Sequence, residues 1–484
     1  MVVINKTDRP EARVAEVVGL VQDLFLELAT KPEQLDFPVL YTSARHGYAV
    51  SDLNDEPKDM QPLLEAILKY IPPPAGDPEA PLQMLVAALD YDNYLGQVAI
   101  GRLNNGKLEM NQSYALCSAD GIRNRQKFSA LYTFIGLQKI QVDTLEAGDI
   151  IAVAGIDGVT IGDTISSNEN PEPLPRIVID EPTVSMLFYV NNSPFAGKEG
   201  KYLTSRNISE RLEKEILGNV SLQVHATDRT DVFEVRGRGE LQTAILIETM
   251  RREGYEFMVS KPRVITHEKN GKVMEPMEKV FLDIPDDKVG IITEKLSERK
   301  GRMTNLVNHG HGRVSMDFVI PSRGLIGFRS QFLTDTRGAG IMNKLFDGYA
   351  PWFGPIPQRN SGAMVADRKG KVTTYACLGM VDRGELFIEV GTEVYDGMII
   401  GERNRTEDLT LNITREKKLT NMRAAASDST VVLRPPKQLS LDQSIEFIAE
   451  DELVEVTPLS IRLRKMELDP HKRLAASRKA KYGS

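Results

Sequence analysis

The chain has 484 residues, of which 41% are hydrophobic and 26% are charged, and its formal net charge is -8. This length is too great for a single hydrophobic core and predicts several domains, and the composition excludes a largely disordered chain. The acidic balance excludes a protein that coats nucleic acid with its whole surface, although a local excess of basic residues over 459–484 could be either a solvated tail or a nucleic-acid contact.

Residues 1–75 have the pattern of an incomplete α/β unit. The β-branched run at 2–4 predicts a strand, and apolar residues at three- and four-residue spacing over 14–28 predict a helix with one buried face. Residues 37–40 predict a second strand, and residues 63–71 predict a second amphipathic helix. A proline-rich stretch follows and predicts a stiff linker to the next domain.

Over 82–170, short segments of alternating apolar and polar residues are separated by glycines, and this pattern predicts a β-barrel. Within it, Asn105-Gly106 lies between apolar residues and predicts a hairpin. Residues 183–265 then predict the order βαββαβ, which residues 278–346 repeat with helices near 287–300 and 325–336, as in two split-βαβ sandwiches. Arg238 and Arg323 stand before the second helix of each repeat and could either hold a phosphate or serve the backbone turn.

Beyond residue 360 the chain is strand-rich again and predicts a separate C-terminal domain over 360–484. Residues 411–430 have little apolar periodicity and carry four basic side chains, Arg415, Lys417, Lys418 and Arg423. This pattern predicts an exposed basic loop.

The Asn-Lys-Thr-Asp segment after the first predicted strand has the residue types that recognise a guanine base. The carboxylate of Asp8 can accept both the ring and the exocyclic N–H groups of guanine, a pair of bonds that adenine cannot complete. Asn5 can tie the loop to the base, and Lys6 can lay its aliphatic stem along the base plane. Ser43 and Ala44, after the second predicted strand, can present backbone N–H to the base carbonyl. Together these five residues predict a guanine-binding site.

The elements that hold nucleotide phosphates are missing from this sequence. It contains no GxxxxGK[ST] segment, and none of its six histidines follows a Pro-Gly pair that would place a histidine against the attacking water. We therefore expect no catalytic residue and no hydrolysis of GTP by this chain unaided. Because the central strands of such a sheet would also be missing, we expect the helix over 14–28 to be loosely held.

The remaining polar residues suggest neither a metal site nor a disulfide. Cys117 and Cys377 lie far apart, without a CxxC pair, and fit a reducing cytoplasm. His309 and His311 have no evident third ligand, so a structural or exposed role is favoured and no metal site is predicted. No apolar run approaches the roughly 18 residues of a membrane span, and we expect no membrane partner.

With its domains in this order, the chain resembles the translational GTPases, and most closely the BipA/TypA family. The resemblance is carried by Val-Ile-Asn-Lys-Thr-Asp-Arg-Pro at 3–10, Val-Arg-Gly-Arg-Gly-Glu-Leu at 235–241, Pro-Ser-Arg-Gly-Leu-Ile-Gly-Phe at 321–328 and Lys-Lys-Leu-Thr-Asn-Met-Arg at 417–423. Elongation factor G has an additional domain between its two sandwiches, for which this sequence leaves no room. LepA shares the shorter plan but differs in its C-terminal domain, and it ranks second.

The resemblance implies a multidomain α/β and β fold. Its expected parts are a partial P-loop GTPase domain over 1–75, a translation-factor β-barrel over 82–170, two ferredoxin-like α+β sandwiches over 177–267 and 274–352, and a strand-rich, RNA-binding C-terminal domain over 360–484. The complete family protein uses GTP or GDP with Mg²⁺. The guanine contacts transfer to Asn5, Lys6, Asp8, Ser43 and Ala44, and the phosphate and magnesium contacts have no positions here to receive them.

The resemblance also implies a monomeric, cytoplasmic factor that binds the ribosome near the factor site and the A-site region. It would support assembly of the large subunit and matter most under cold or other stress. Arg415, Lys417, Lys418 and Arg423 would approach ribosomal RNA and the tRNA acceptor end. Two interpretations stay open: a portion of a complete GTPase, or a ribosome-binding module that has discarded nucleotide control.

Overall fold

The computed structural model describes residues 1–92, 94–156, 158–177, 181–219, 221–308, 310, 312–356, 359, 361–416, 433, 435–473 and 475. Within these residues the chain forms nine α-helices and 31 β-strands, and the strands form six sheets.

The first unit contains three strands and two helices: β1 (Val2–Ile4), α1 (Val14–Leu28), β2 (Val39–Ser43), β3 (Tyr48–Val50) and α2 (Gln61–Tyr70). Strand β1 pairs in parallel with β2, and β2 pairs antiparallel with β3. The two strands and two helices predicted from the sequence are present, whereas β3 was not predicted. The core of this unit is small and consists of Ile4, Leu40, Ala49, Val50 and Ala66.

Helix α1 covers little of this core. None of its described side chains is buried, and Leu20, Leu24, Leu26 and Leu28 are each at least half exposed. The spacing of its apolar residues is that of a helix with one buried face, as the sequence predicted. Because that face remains largely in solvent, it contributes little hydrophobic free energy to the unit.

The second unit consists of strands β4 (Gln83–Asp92), β5 (Gly96–Asn105), β6 (Lys107–Glu109), β7 (Ser113–Ser118), β8 (Gly121–Lys127), β9 (Ala130–Ile135), β10 (Gln138–Gln141), β11 (Thr144–Glu146), β12 (Ile150–Ala154) and β13 (Thr164–Ser166). Eight of them form a sheet in the order β10-β9-β12-β5-β4-β13-β7-β8, and β6 pairs separately with β11. Apolar side chains from both sheets meet in one core, which includes Met84, Leu103, Leu108, Leu116, Leu131, Leu145, Ile151 and Ile165.

The hairpin predicted at Asn105-Gly106 is wrong. Strand β5 pairs with β4 and β12, while β6, on the other side of Gly106, pairs with β11. Gly106 has a φ of 80°, and its N–H donates to the carbonyl of Asp77 at 2.8 Å. A Cβ there would lie 2.7 Å from the Cα of Leu82. The glycine therefore lets the chain turn closely past Leu82 into the second sheet, instead of folding back on β5.

The third unit contains β14 (Val184–Val190), α3 (Ser205–Gly218), β15 (Gln223–Ala226), β16 (Val232–Gly237), α4 (Glu240–Arg252), β17 (Phe257–Val259) and β18 (Arg263–Val264). The order βαββαβ predicted from the sequence is present, and the main strands lie in the order β15-β16-β14-β17. Helix α4 buries the apolar face that includes Ala244, Leu246, Ile247 and Met250.

The fourth unit repeats this arrangement with β19 (His267–Lys269), β20 (Lys272–Pro285), α5 (Val289–Glu298), β21 (Arg302–Asn308), β22 (Arg313–Pro321), α6 (Ser322–Leu325), α7 (Phe328–Asp335) and β23 (Ile341–Pro351). Its main strands lie in the order β21-β22-β20-β23. The helix predicted near 325–336 begins only at Phe328, because Gly327 has a left-handed φ of 72° and separates α6 from α7.

The segments at 235–241 and 321–328, which occupy equivalent places in the two repeats, contact each other. The N–H of Gly327 donates to Oε2 of Glu240 at 3.1 Å. Arg323 forms an ion pair with the buried Glu275, with Nε 2.5 Å from Oε2, and it lies over the ring of Trp352 at 3.8 Å from the ring centroid. Of the two roles left open for Arg323, the structure favours the structural one, because its guanidinium is already engaged.

The C-terminal part contains β24 (Ala363–Ala366), β25 (Gly370–Lys371), α8 (Thr374–Leu378), β26 (Gly384–Leu386), β27 (Glu393–Val394), β28 (Met398–Arg403), β29 (Leu409–Leu411), α9 (Leu441–Phe447), β30 (Glu452–Val456) and β31 (Ile461–Lys465). Strand β30 pairs antiparallel with β17. The sheet of the third unit therefore continues through β30, β31, β28, β24 and β29 to make eleven strands in all, with β18 and β26 attached at its sides.

This shared sheet differs from the separate C-terminal domain that the sequence predicted. Strand β17 would otherwise present unpaired backbone groups at an edge, and β30 satisfies them. Both parts also share one apolar core, in which Phe188 and Phe257 lie with Val365, Ile399 and Val454. The pairing joins strands almost 200 residues apart, a relation that the local periodicity of a sequence does not encode.

Two buried carboxylates hold a loop of the third unit: Glu455 binds it from the C-terminal strand β30, and Glu256 binds it from within the third unit. Glu455 accepts hydrogen bonds from Oγ of Ser193 at 2.7 Å and from the hydroxyl of Tyr395 at 2.5 Å. Glu256 accepts three backbone N–H groups, from residues 197, 199 and 200. Both glutamates are fully buried, so these bonds replace the water that each carboxylate lost on folding.

Candidate functional site

The predicted guanine-binding residues lie at one edge of the first sheet. Strands β1 and β2 are parallel and in register, with Ile4 opposite Tyr41. The Asn-Lys-Thr-Asp segment at 5–8 follows β1 directly, and Ser43 and Ala44 lie at the end of β2. Because the carboxyl ends of parallel neighbours meet at the same edge, the fold brings all five predicted residues into one region, where α/β sheets commonly bind ligands.

Asn5 joins the two loops at this edge. Its Oδ1 accepts the backbone N–H of Lys6 at 2.7 Å and that of Ala44 at 3.1 Å, and it lies 3.4 Å from the hydroxyl of Thr42. The backbone N–H of Thr7 also donates to the carbonyl of Thr42 at 3.2 Å. The side chain thus ties the two loops to each other, whereas its predicted contact with a guanine base stays a prediction.

Lys6 holds an uncommon backbone conformation. Its φ is 66°, one of six positive values at the non-glycine residues that the structure describes, and its carbonyl accepts the N–H of Arg9 at 3.2 Å. A left-handed residue with a Cβ costs free energy, so it persists only where surrounding bonds impose it. The side chain is exposed, which leaves its aliphatic stem free to lie along a bound base.

Asp8 is held as a carboxylate. Its side chain is 15% exposed, and its Oδ2 lies 3.4 Å from Nδ1 of His46. A hydrogen bond from Ser43 lowers the pKa of Asp8 below its ordinary value, and the nearby His46 and Arg9 lower it further. The group is therefore an anion at neutral pH, as a bidentate acceptor of guanine N–H groups must be.

His46 is a site residue that the sequence reasoning missed. Its Nδ1 lies 3.0 Å from Oγ of Ser43 and its backbone N–H donates to the same oxygen at 3.3 Å, so it forms a small network with Ser43 and Asp8. The available signal was its place three residues after Ser43, within reach of that side chain in a tight turn.

The predicted RNA-binding residues lie in a different part of the chain, near α8. Arg415 is exposed, with its guanidinium 5.9 Å from the ring centroid of Tyr375, and its carbonyl accepts the hydroxyl of Thr373. Lys417, Lys418 and Arg423 lie outside the described residues. The structure therefore positions one of the four predicted residues.

The described residues contain neither a cluster of metal ligands nor a helix suited to cross a membrane. No group of three or more His, Cys, Asp or Glu side chains that could hold a metal ion occurs in the part of the chain described above, which does not include His309 and His311. Across the same residues, no helix combines the length and apolar character needed to span a bilayer.

Four family models match successive parts of the chain. They describe the elongation factor Tu GTP binding domain at 1–73, elongation factor G domain 2 at 81–168, the elongation factor G C-terminus at 272–360 and the TypA/BipA C-terminal domain at 361–470. The residues predicted to bind guanine lie within the first match, and Arg415 lies within the last.

Curated relatives match nearly the whole chain. Proteins named large ribosomal subunit assembly factor BipA are 48% identical in Salmonella typhimurium, over 99% of this chain and 79% of the relative, and 45% identical in Bacillus subtilis, with the same coverage. The protein of that name in Synechocystis is 48% identical over 96% of this chain and 78% of its own length. The chain therefore belongs to the TypA/BipA family of translation-factor GTPases.

Proposed function

We propose that this chain binds the ribosome and assists assembly of the large ribosomal subunit in the cytoplasm. The observation that carries the proposal is the match of 45–48% identity, over 96–99% of the chain, to proteins named for that activity. The match spans all the units described above, so the proposal concerns the whole chain and not one domain.

The same relationship supports a finer description of the fold. We assign residues 1–75 to part of a P-loop GTPase domain and 82–170 to a translation-factor β-barrel. Residues 177–267 and 274–352 are ferredoxin-like sandwiches, supported by their shared strand order. Residues 360–484 form the RNA-binding C-terminal domain, although their sheet is continuous with that of the third unit.

The guanine base is bound, in this proposal, by Asn5, Lys6, Asp8, Ser43 and Ala44. The ionised Asp8 and the loop tied by Asn5 support this assignment. GTP or GDP with Mg²⁺ is the ligand of the complete family protein. No segment of the 484 residues has the pattern of a phosphate-binding loop, so binding here rests on the base alone, and we expect weak affinity and no hydrolysis unaided.

The RNA contact is assigned to Arg415 and to Lys417, Lys418 and Arg423, with ribosomal RNA and the tRNA acceptor end as partners. Arg415 supports the assignment because its guanidinium is exposed. Arginine and lysine neutralise backbone phosphates, so removal of these charges should weaken binding and reduce its salt dependence.

Cosedimentation with purified large ribosomal subunits tests the proposal. We expect the chain to sediment with the subunits, and the triple variant Lys417→Ala, Lys418→Ala, Arg423→Ala to do so less. The variant Arg206→Ala, which removes one exposed charge from helix α3, should behave as the parent chain. Absence of binding by the parent chain at low salt would refute the proposal.

A nucleotide-independent ribosome-binding module is the second candidate function. The lack of a phosphate-loop segment in the sequence favours it. The same sedimentation, carried out with GTP, with GDP and without nucleotide, separates the two: equal binding in all three supports the module, whereas binding that differs between nucleotides supports nucleotide control.

A further inference from the structure

A cavity of about 330 Å³ in the C-terminal part of the chain is lined mainly by basic side chains. Its walls are Asp382, Arg383, Arg403, Asn404, Arg405 and Leu409. Three cations face one anion here, in a chain whose overall charge is negative. We call this feature the arginine cleft.

Strand pairing holds one wall of the arginine cleft. Strand β26 pairs with β28 so that Gly384 lies opposite Arg403, and the N–H of Asn404 donates to the carbonyl of Arg383 at 3.0 Å. A Cβ on Gly384 would lie 1.9 Å from the carbonyl oxygen of Glu402. Only a glycine permits this close approach, which fixes Arg383 across from the other two arginines.

The loop after β28 forms the opposite wall, and hydrogen bonds hold its backbone in place. Gly362 donates its N–H to the carbonyl of Arg405 at 2.6 Å and accepts the N–H of Arg403 at 2.8 Å. Nη1 of Arg403 closes the loop by donating to the carbonyl of Glu407 at 2.7 Å. The backbone that carries the arginines is therefore arranged before any ligand arrives, which reduces the entropy lost on binding.

The side chains of Arg383 and Arg405 are not used by the fold. Both residues are exposed, and within the described ranges neither guanidinium makes a hydrogen bond or an ion pair. Elsewhere, partly buried arginines such as Arg359 are matched by carboxylates. A pair of unmatched guanidinium groups on a fixed frame, beside a third, is suited to an anion with several acceptor oxygens.

We propose that the arginine cleft binds a backbone phosphate of RNA. Arginine presents a planar fork of donors that matches phosphate oxygens, and the exposed positions of Arg383 and Arg405 leave both side chains within reach of a polymer. No aromatic side chain lines the cleft, so the contact is to the backbone and not to a stacked base. The proposal deepens the assignment of the C-terminal domain to RNA and rests on it, but it names residues separate from Arg415 and the segment that follows.

The test compares the parent chain with the double variant Arg383→Ala, Arg405→Ala. Binding of a short single-stranded RNA is followed by fluorescence anisotropy across a range of salt concentrations. Loss of this one phosphate contact should reduce the slope of log affinity against log salt by roughly 0.7, the value for each phosphate contacted on a single strand. A matched control, Arg206→Ala with Arg252→Ala, removes two exposed charges from α3 and α4 and should leave the slope unchanged.

Isothermal titration with inorganic pyrophosphate distinguishes RNA from a small phosphate ligand. RNA binding that weakens only in the cleft variant supports the proposal. Equal slopes in the cleft and control variants overturn it, as does a parent chain that binds pyrophosphate in the cleft but no RNA. If the cleft variant loses RNA affinity while the parent fails to sediment with large subunits, the cleft stands and the proposed ribosomal function fails.

Discussion

The first sheet of the chain and its eleven-stranded sheet differ in how they use burial. In the first unit, helix α1 has no buried side chain among those described, and half-exposed leucines line it. In the eleven-stranded sheet even charged residues, including Glu452, Glu455 and Lys465, are enclosed and paired. Stability in this chain is therefore concentrated where two units share a core, and the residues predicted to bind guanine lie on the less supported part.

The largest expected effect comes from breaking a buried ion network in the shared sheet. The carboxylate of the fully buried Glu452 accepts hydrogen bonds from Nη1 and Nη2 of Arg359, both at 3.0 Å, and lies 2.8 Å from Nζ of Lys465. Burial alone would lower the pKa of Lys465, but Glu452 and Asp408 outweigh it and raise that pKa above its ordinary value. Replacement of Glu452 by Gln should leave Arg359 without its carboxylate partner, while Lys465 keeps Asp408 and Asp451. The free energy of unfolding should fall by about 3 kcal/mol.

Hydrogen exchange of the amides in β30 and β31 measures this loss locally. The control is Glu210→Gln, which breaks an exposed pair with Arg206 one turn away on α3 and should cost less than about 0.5 kcal/mol. Similar losses of unfolding free energy in both variants would show that burial of an ion pair does not determine how much it stabilises the fold. The difference drawn between the two regions would then be wrong.

A second comparison is between helices α1 and α4 in the unmodified chain. Helix α4 buries five residues, including Ile247 and Met250, whereas α1 buries none of those described. Amides of α1 should exchange faster than those of α4 by a factor on the order of 100, because local opening exposes little additional apolar surface. Strong protection over 14–28 in the isolated chain, measured by mass spectrometry, would contradict this expectation.

The sequence predicted what depends on neighbours along the chain. Helix α1, the βαββαβ order of two units and the residue types at Asn5 and Asp8 all follow from local spacing or from a short motif. It did not predict the pairing of β17 with β30 or the separation of β5 from β6. Both depend on contacts between distant segments, for which the chain carries no local signal. The sequence predicted a hairpin turn at Gly106, whereas this glycine lets the chain pass from one sheet to the other.

The same limit applies to the candidate sites. The common position of Asn5, Asp8 and Ser43 at one sheet edge could be predicted, because the motif specifies residue types at fixed spacing after a strand. His46 was missed, because its place three residues after Ser43 gains a meaning only when the β2–β3 turn brings its ring against Ser43 and Asp8. The arginine cleft was missed for the same reason: Arg383 and Arg405 become neighbours only through strand pairing.

A smaller effect should follow the replacement of Asn5 by Ala in the first unit. The Oδ1 of Asn5 serves the backbone N–H groups of Lys6 and Ala44, and water can replace it because these groups are near the surface. The expected cost is therefore only about 1–2 kcal/mol, seen as faster hydrogen exchange at both amides. Asn54→Ala, an exposed change in the same unit, is the control. Unchanged exchange at Ala44 would show that the two loops hold their positions without this side chain.

The smallest effect concerns the junction between the eleven-stranded sheet and the fourth unit, where a half-buried carboxylate has no ion pair in the described structure. Glu446 of α9 lies against Gly327, where a Cβ would come within 2.5 Å of its Cγ. Burial raises the pKa of Glu446 to about 7; Glu240 and Asp442 raise it as well, and Arg299 and Lys437 oppose them. Glu446 therefore tests whether this junction tolerates a carboxylate charge that has no ion-pair partner among the described residues.

Replacement of Glu446 by Gln should make the stability of this junction less dependent on pH. Because the folded pKa lies above the unfolded value of about 4.5, the folded state holds its proton more tightly, and the parent chain loses stability as pH rises from about 4.5 to 7. The Gln variant should therefore gain about 1 kcal/mol over the parent between pH 5 and pH 8, a figure reduced for solvent screening.

Urea unfolding followed by the fluorescence of Trp352, the one tryptophan, measures the difference. Glu210→Gln, on exposed α3, should show no such trend, and parallel pH profiles for parent and Glu446→Gln would mean that the charge is accommodated at the junction without cost.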